Sequence, residues 1–87
     1  MENLFNKNSS SQNVKNTVDI LTEIWCLVLK INKVDIEDNF FDIGGNSILV
    51  MEVQSKLNKY YFQKITIPDL FAYPTIKGLA DYIEQIS

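Results

Sequence analysis

The sequence predicts an all-α fold, a small four-helix bundle of three main helices and one short one. Three observations carry this. Leu21, Ile24, Trp25, Val28 and Ile31 recur at i, i+3, i+4, i+7 and i+10, which lines one face of a helical spiral. Ile76, Leu79, Ala80, Ile83 and Ile86 repeat that spacing near the end of the chain. Between them, Val50, Val53, Leu57, Tyr60 and Tyr61 mark a third helical face. Such faces are stable when buried against one another, which makes a bundle the natural architecture.

The elements follow in order. Residues 1–16, MENLFNKNSSSQNVKN, are polar, with three consecutive serines flanked by Gln and Asn, and read as a flexible N-terminal arm or linker. The bundle then occupies residues 17–87. The first helix is expected from Thr17 to Ile31, with the Thr17 hydroxyl accepting a free backbone N–H at its start. Leu27 and Leu29 flank its apolar stripe.

A connection from Asn32 to Asn46 comes next. It is longer than most connections inside compact domains, and loops of that length are often functional. Phe40 and Phe41 sit within it, and at least one is expected to plug the core. Gly44-Gly45 ends it. The second helix is expected to begin at or next to Ser47 and to run to about Tyr60. Ile48, Leu49 and Met51 are left off its core face.

Gln63 to Ile67 reads as extended. Pro68 suits the first position of a short helix, where its missing N–H has no partner to lose. Asp69 to Ala72 continue that turn. Tyr73 precedes Pro74 and is pushed away from helical angles. Thr75 is expected to cap the last helix, in which Gly78 costs about 1 kcal/mol relative to Ala.

Composition narrows the chemistry. With 87 residues, 46% of them hydrophobic, the chain builds one small domain with one core. At the usual density its stability is roughly 4–13 kcal/mol. There is no His and no Arg. No imidazole is available as general base or metal ligand, and no guanidinium to clamp an anion. Cys26 is the only cysteine, which excludes an internal disulfide and a multi-thiolate zinc site. It stands in an apolar run and is expected to be a buried, inert thiol. Eight lysines against eleven acids give a net charge of −3, which argues against nucleic acid and anionic membranes as partners. No apolar run approaches the ~20 residues of a membrane span. Residues 1–12 lack the apolar stretch of a signal peptide, so a cytoplasmic location is expected.

The informative segment is Asp38-Asn39-Phe40-Phe41-Asp42-Ile43-Gly44-Gly45-Asn46-Ser47-Ile48. Gly44 and Gly45 leave a backbone stretch with no side chains to obstruct an approaching surface. A hydroxyl follows at the start of a helix, where unpaired N–H groups and the partial positive end of the dipole favour a phosphate. Serine is a weak nucleophile until a base activates it, and no base is at hand. Ser47 therefore reads as an acceptor modified by another enzyme. The plainer alternative is that Ser47 is only the N-cap of the second helix.

The segment resembles the phosphopantetheine-attachment motif of carrier proteins. It is most like the thiolation (peptidyl carrier) domains of nonribosomal peptide synthetases and related polyketide carriers. The family pattern is an acid, x, Phe-Phe, x, x, Gly-Gly, x, Ser, then Leu or Ile. This chain supplies Asp38, Phe40-Phe41, Gly44-Gly45, Ser47 and Ile48. The likeness extends over residues 18–86, through Ile24-Trp25, Val28-Leu29, Ile67-Pro68, Leu70-Phe71, Tyr73-Pro74-Thr75-Ile76 and Leu79-Ala80.

The resemblance implies an acyl-carrier type of bundle that is not an enzyme. It implies that Ser47 is esterified with 4′-phosphopantetheine by a phosphopantetheinyl transferase. Gly44, Gly45, Asp42 and Asn46 are the supporting positions. The arm's thiol then holds aminoacyl, peptidyl or acyl groups as thioesters in a natural-product assembly line, presented to adenylation, condensation, ketosynthase or other tailoring domains. The isolated domain is expected to be monomeric. Two positions depart from the pattern. Asn46 stands where peptidyl carriers more often have His or Asp, and looks more like hybrid or polyketide carriers. Ile43 replaces the usual Leu. Ile48, Leu49 and Met51, beside the attachment point, are the candidate partner surface, with completion of the core by one or two of them as the alternative. The acids Asp35, Glu37, Asp38 and Asp42 are candidates for steering a basic partner, or form a solvated loop.

Overall fold

A computed structural model describes residues 16–61 and 64–86. Among the described residues there are four helices: α1 (Thr17–Leu29), α2 (Ser47–Tyr61), α3 (Ile67–Ala72) and α4 (Ile76–Ile86). Helix α1 packs on both α2 and α4, and α2 packs on α3. This is the expected bundle of three main helices and a short one. The arm expected over residues 1–16 lies outside the described residues, apart from Asn16.

Asn16, rather than Thr17, caps α1. Its backbone is extended and its side chain accepts the Asp19 N–H at 2.8 Å. The stripe on α1 is buried as far as Val28. The helix then stops two residues before the expected Ile31. Lys30 takes left-handed angles, φ 59° and ψ 46°, and the N–H groups of Lys30 and Ile31 both reach the Cys26 carbonyl. Ile31 is left half-buried. Cys26 is also half-buried rather than buried, at a shallow groove with Glu23, Leu27 and Ile31.

Helix α2 begins at Ser47 as expected, and Val50, Val53 and Leu57 are in the core. Tyr60 is not: it is 53% exposed. Ile65 is buried in the link to α3, and the Gln54 side-chain amide donates to its carbonyl at 2.9 Å. Helix α3 starts one residue earlier than expected, at Ile67, so that Pro68 occupies its second position. Thr66 and Asp69 form a capping box there, each side chain accepting from the other's backbone. Gln63, the start of the expected extended run, lies outside the described residues. Tyr73 leaves the helical region at φ −126°, ψ 75°. Thr75 caps α4, its hydroxyl accepting the Gly78 N–H at 3.0 Å.

The core is built of hydrophobic side chains. No buried polar or charged residue occurs among the described residues. Leu21, Trp25, Leu57, Ile76, Leu79 and Ile83 are nearly or wholly withdrawn from water. Each contributes on the order of 1.5–3 kcal/mol. No helix among the described residues is long and apolar enough to cross a membrane.

Candidate functional site

The site begins with Phe40. Its ring is 3% exposed and meets Trp25 edge-on at 4.9 Å, so the long loop is anchored in the core at its middle. Its N–H donates to the Pro74 carbonyl at 2.7 Å, and Lys77 N–H donates to Ile36 at 3.0 Å. These two bonds sew the loop to the α3–α4 turn. Phe41 meets Phe40 edge-on and stacks on Phe71 of α3, centroids 5.3 Å apart and planes within 9°. A row of rings, Trp25–Phe40–Phe41–Phe71, thus crosses from α1 through the loop to α3.

The loop then turns sharply towards α2. Asn39 accepts the Phe41 N–H on its side chain and the Asp42 N–H on its carbonyl, both at 2.9 Å. Asp42 is exposed. Gly44 has φ +116°, a region that side chains rarely allow. Gly45 answers a different need. A Cβ there would run into the Phe40 ring and come within 2.7 Å of the Phe40 carbonyl oxygen. That oxygen accepts the Gly45 N–H at 2.9 Å. The two glycines therefore do separate jobs: one allows the turn, the other allows close packing on Phe40.

Asn46 completes the entry to α2. Its side-chain oxygen accepts the Leu49 N–H at 2.9 Å, and its carbonyl accepts the Val50 N–H at 2.9 Å. Asn46 is thus the N-cap, which removes the alternative that Ser47 is merely a cap. Ser47 is the exposed first residue of α2. Among the described residues no hydrogen bond engages its hydroxyl. The sequence signal for this cap was present, since Asn directly before an apolar helix start is a common N-cap.

The electrostatics suit an anion. The N–H groups of Ser47 and Ile48 have no acceptor in the helix, and they lie at the positive end of its dipole. The first turn of α2 carries no acidic side chain. A phosphate ester on Ser47 therefore meets donors and no acidic side chain in that turn, a preference worth typically 0.3–1 kcal/mol at a surface. The acids further back are partly occupied. Asp38 accepts the Asp35 N–H at 3.0 Å, Asp35 accepts the Glu37 N–H at 2.8 Å, and Glu37 pairs loosely with Lys77 at 3.9 Å. They shape the loop as well as charge it.

Around Ser47 the side chains divide. Ile48 is 70% and Met51 60% exposed, while Leu49 is half-buried and packs on the core. Of the three leftover residues, one belongs partly to the interior and two are on the surface. Phe71, which sequence reasoning did not single out as a surface residue, is also exposed.

A compact helical bundle that offers an unengaged serine at a glycine-prepared helix start has the form of a carrier domain. Comparison with known proteins gives the family. Residues 19–83 match the phosphopantetheine attachment site family, and the chain belongs to it. The chain is 44% identical over 63 residues to tyrocidine synthase 3 of Brevibacillus parabrevis, covering 72% of this chain and 1% of that protein. It is 46% identical over 65 residues to gramicidin S synthase 2 of Brevibacillus brevis, covering 75% and 2%. It therefore spans only a few hundredths of the length of these relatives.

Among solved structures, it superposes on the solution structure of a prototype peptidyl carrier domain of modular peptide synthetases. The TM-score is 0.71 at 39% identity, covering 82% of this chain and 93% of that one. It also matches a structure of the phosphopantetheine transferase Sfp in complex with coenzyme A and a peptidyl carrier protein. There the TM-score is 0.76 at 38% identity, with 83% and 94% covered. The chain is a carrier domain of the nonribosomal peptide synthetase type, and its cofactor is 4′-phosphopantetheine. Asn46, which resembled the polyketide carriers, has its physical reason in the cap it makes.

Proposed function

We propose that Ser47 is the residue to which the cofactor is attached, and that the domain carries aminoacyl or peptidyl intermediates without catalysing any step itself. The observation that carries this is the Ser47 hydroxyl, exposed and unengaged at the start of α2 because Asn46 does the capping. A phosphopantetheinyl transferase supplies the base, since this chain has no His. Ser47 Oγ forms a bond to the phosphorus of coenzyme A that bears the pantetheine. The pyrophosphate bond breaks, and adenosine 3′,5′-bisphosphate leaves with its electron pair. The hydroxyl proton passes to the base on the transferase. When bound, the cofactor supplies a thiol on a long arm, which holds an acyl group as a reactive thioester. The domain's own contribution is to hold that arm at a fixed point and raise the cargo's effective concentration at neighbouring active sites.

Ile48 and Met51 form the apolar ground beside that point, and Leu49 sets its inner edge. Their partners in this reading are the transferase and then adenylation, condensation, ketosynthase or other tailoring domains. The net charge of −3 argues against nucleic acid and anionic membranes. Residues 1–16 are an arm or linker before the carrier domain at 17–87, with Asn16 doubling as the cap of α1. The domain acts as a cytoplasmic monomer. Incubation with coenzyme A and a promiscuous transferase is expected to add the mass of one phosphopantetheine, and Ser47→Ala to abolish the gain. Gain in the variant would refute the site.

A further inference from the structure

We infer that Asn46 is a positioning residue for the attachment reaction: by capping α2 it keeps the hydroxyl of Ser47 out of the helix and available to the transferase. This rests on the assignment of Ser47 as the attachment residue. A helix start needs an acceptor for its second or third free N–H, and both Asn46 and Ser47 are residues that supply one well. In this chain the Asn46 side chain takes the Leu49 N–H at 2.9 Å and its carbonyl takes the Val50 N–H at 2.9 Å. Ser47 is thereby held as the first helical residue, with its hydroxyl exposed and uncommitted. The positions before it are also fixed, because Gly45 is locked against Phe40 by packing and by its own N–H bond.

Without an acceptor at position 46 the helix has a ready substitute one residue on. Ser47 leaves the helix, takes extended angles, and turns its hydroxyl inward to accept the Val50 N–H. The start of α2 moves by one residue, and the acceptor oxygen for the transferase becomes a structural hydrogen-bond acceptor. Asn46 thus decides between two roles open to the same serine.

The test uses the full chain with Asn46→Ala, Asn46→Asp and Asn46→Ser. Each is loaded from coenzyme A by a transferase that modifies the wild type, well below its melting temperature. Initial rates are followed by intact mass. Asn46→Ala is expected to lose roughly fivefold in kcat/KM, the factor to which the usual worth of a cap converts. Asp and Ser, which also cap but differ in charge, are expected to load at close to the wild-type rate. The Cα and Cβ chemical shifts of Ser47 in Asn46→Ala are expected to move from helical to extended values.

A merely structural cap would lower the melting temperature of Asn46→Ala and leave its loading rate and the Ser47 shifts unchanged. That result overturns the inference. Loading impaired equally in all three variants also overturns it, because it would mean direct contact between Asn46 and the transferase. Failure of the wild type to load, or loading elsewhere than on Ser47, would strike the attachment assignment itself and is read separately.

Discussion

The Phe40 ring lies where a side chain at position 45 would have to go. The Phe40 carbonyl closes the same space from the backbone side, at 2.7 Å from such a Cβ, and is held there by the Gly45 N–H. The ring is buried and the carbonyl is bonded, so an added methyl has to displace one or the other. Gly45→Ala is therefore expected to destabilise the domain by about 1–3 kcal/mol, the usual cost of overpacking. Gly44→Ala meets open space, and its cost arises from the +116° φ alone. Shrinking Phe40 to Leu should relieve part of the Gly45→Ala penalty and none of the Gly44→Ala penalty. Urea denaturation of the single and double variants measures this coupling.

Phe40 also closes the core. Phe40→Ala removes an edge contact with Trp25 and leaves a hole in the middle of the bundle. Such truncations cost about 3–5 kcal/mol, a large part of the roughly 4–13 kcal/mol available to a chain of this size. Phe40→Ala is expected to melt at a much lower temperature than Phe41→Ala, whose ring is half-buried. Thermal unfolding by circular dichroism compares them. Equal losses would mean that the loop is not anchored through Phe40.

The sequence made much of this legible. The stripes on α1 and α4 follow from spacing alone, since each has a strong apolar period and a well-filled opposite surface. The errors fall at helix ends. Asn16 and Thr17 are adjacent and either can cap; only the extended backbone of Asn16 distinguishes them. The stop at Lys30 has no glycine to announce it, so the period appeared to run on to Ile31. Tyr60 keeps the period of its face but is 53% exposed at the end of α2. At the site, Ser47 was readable, and Asn46 carried a capping signal that Ser47 shared. Two good capping residues stood side by side, and the choice between them depends on the turn that Gly44 and Phe40 impose.

Helix α3 is the shortest element, six residues held by its capping box. Thr66→Ala removes the acceptor for the Asp69 N–H and is expected to cost about 1 kcal/mol. Amide exchange in α3 is expected to be the fastest of the four helices, and to quicken further in this variant. Exchange in α3 slower than in α1 would contradict the assignment of α3 as the weakest element.

Tyr82 stacks on Tyr73, ring centroids 4.6 Å apart. Burial first, then its hydrogen bond to the Asp69 carboxylate and that group's charge, hold the Tyr82 phenol above its ordinary value of 10.0. The folded chain thus keeps this proton more tightly than the unfolded chain. The linked stability is complete below about pH 10 and is lost as the pH rises through the folded value. Tyr82→Phe should fall less steeply in stability than the wild type above about pH 10, by denaturation in parallel buffers. Identical slopes would show that folding does not raise the phenol above its ordinary value.

Ile48 and Met51 lie largely in water. Replacing either with Ala is expected to change stability by less than about 0.5 kcal/mol, as for most surface sites, while raising the KM for the transferase. Unchanged KM in both variants would remove them from the docking surface.

The most direct measurement is fragmentation mass spectrometry of the loaded domain after cleavage at lysine. The peptide from Val34 to Lys56 holds two serines, Ser47 and Ser55, and both are exposed on α2. The phosphopantetheine mass is expected on fragments containing Ser47 and absent from those containing only Ser55. Its appearance on Ser55, or on any peptide other than this one, would contradict the attachment site and the reading built on it.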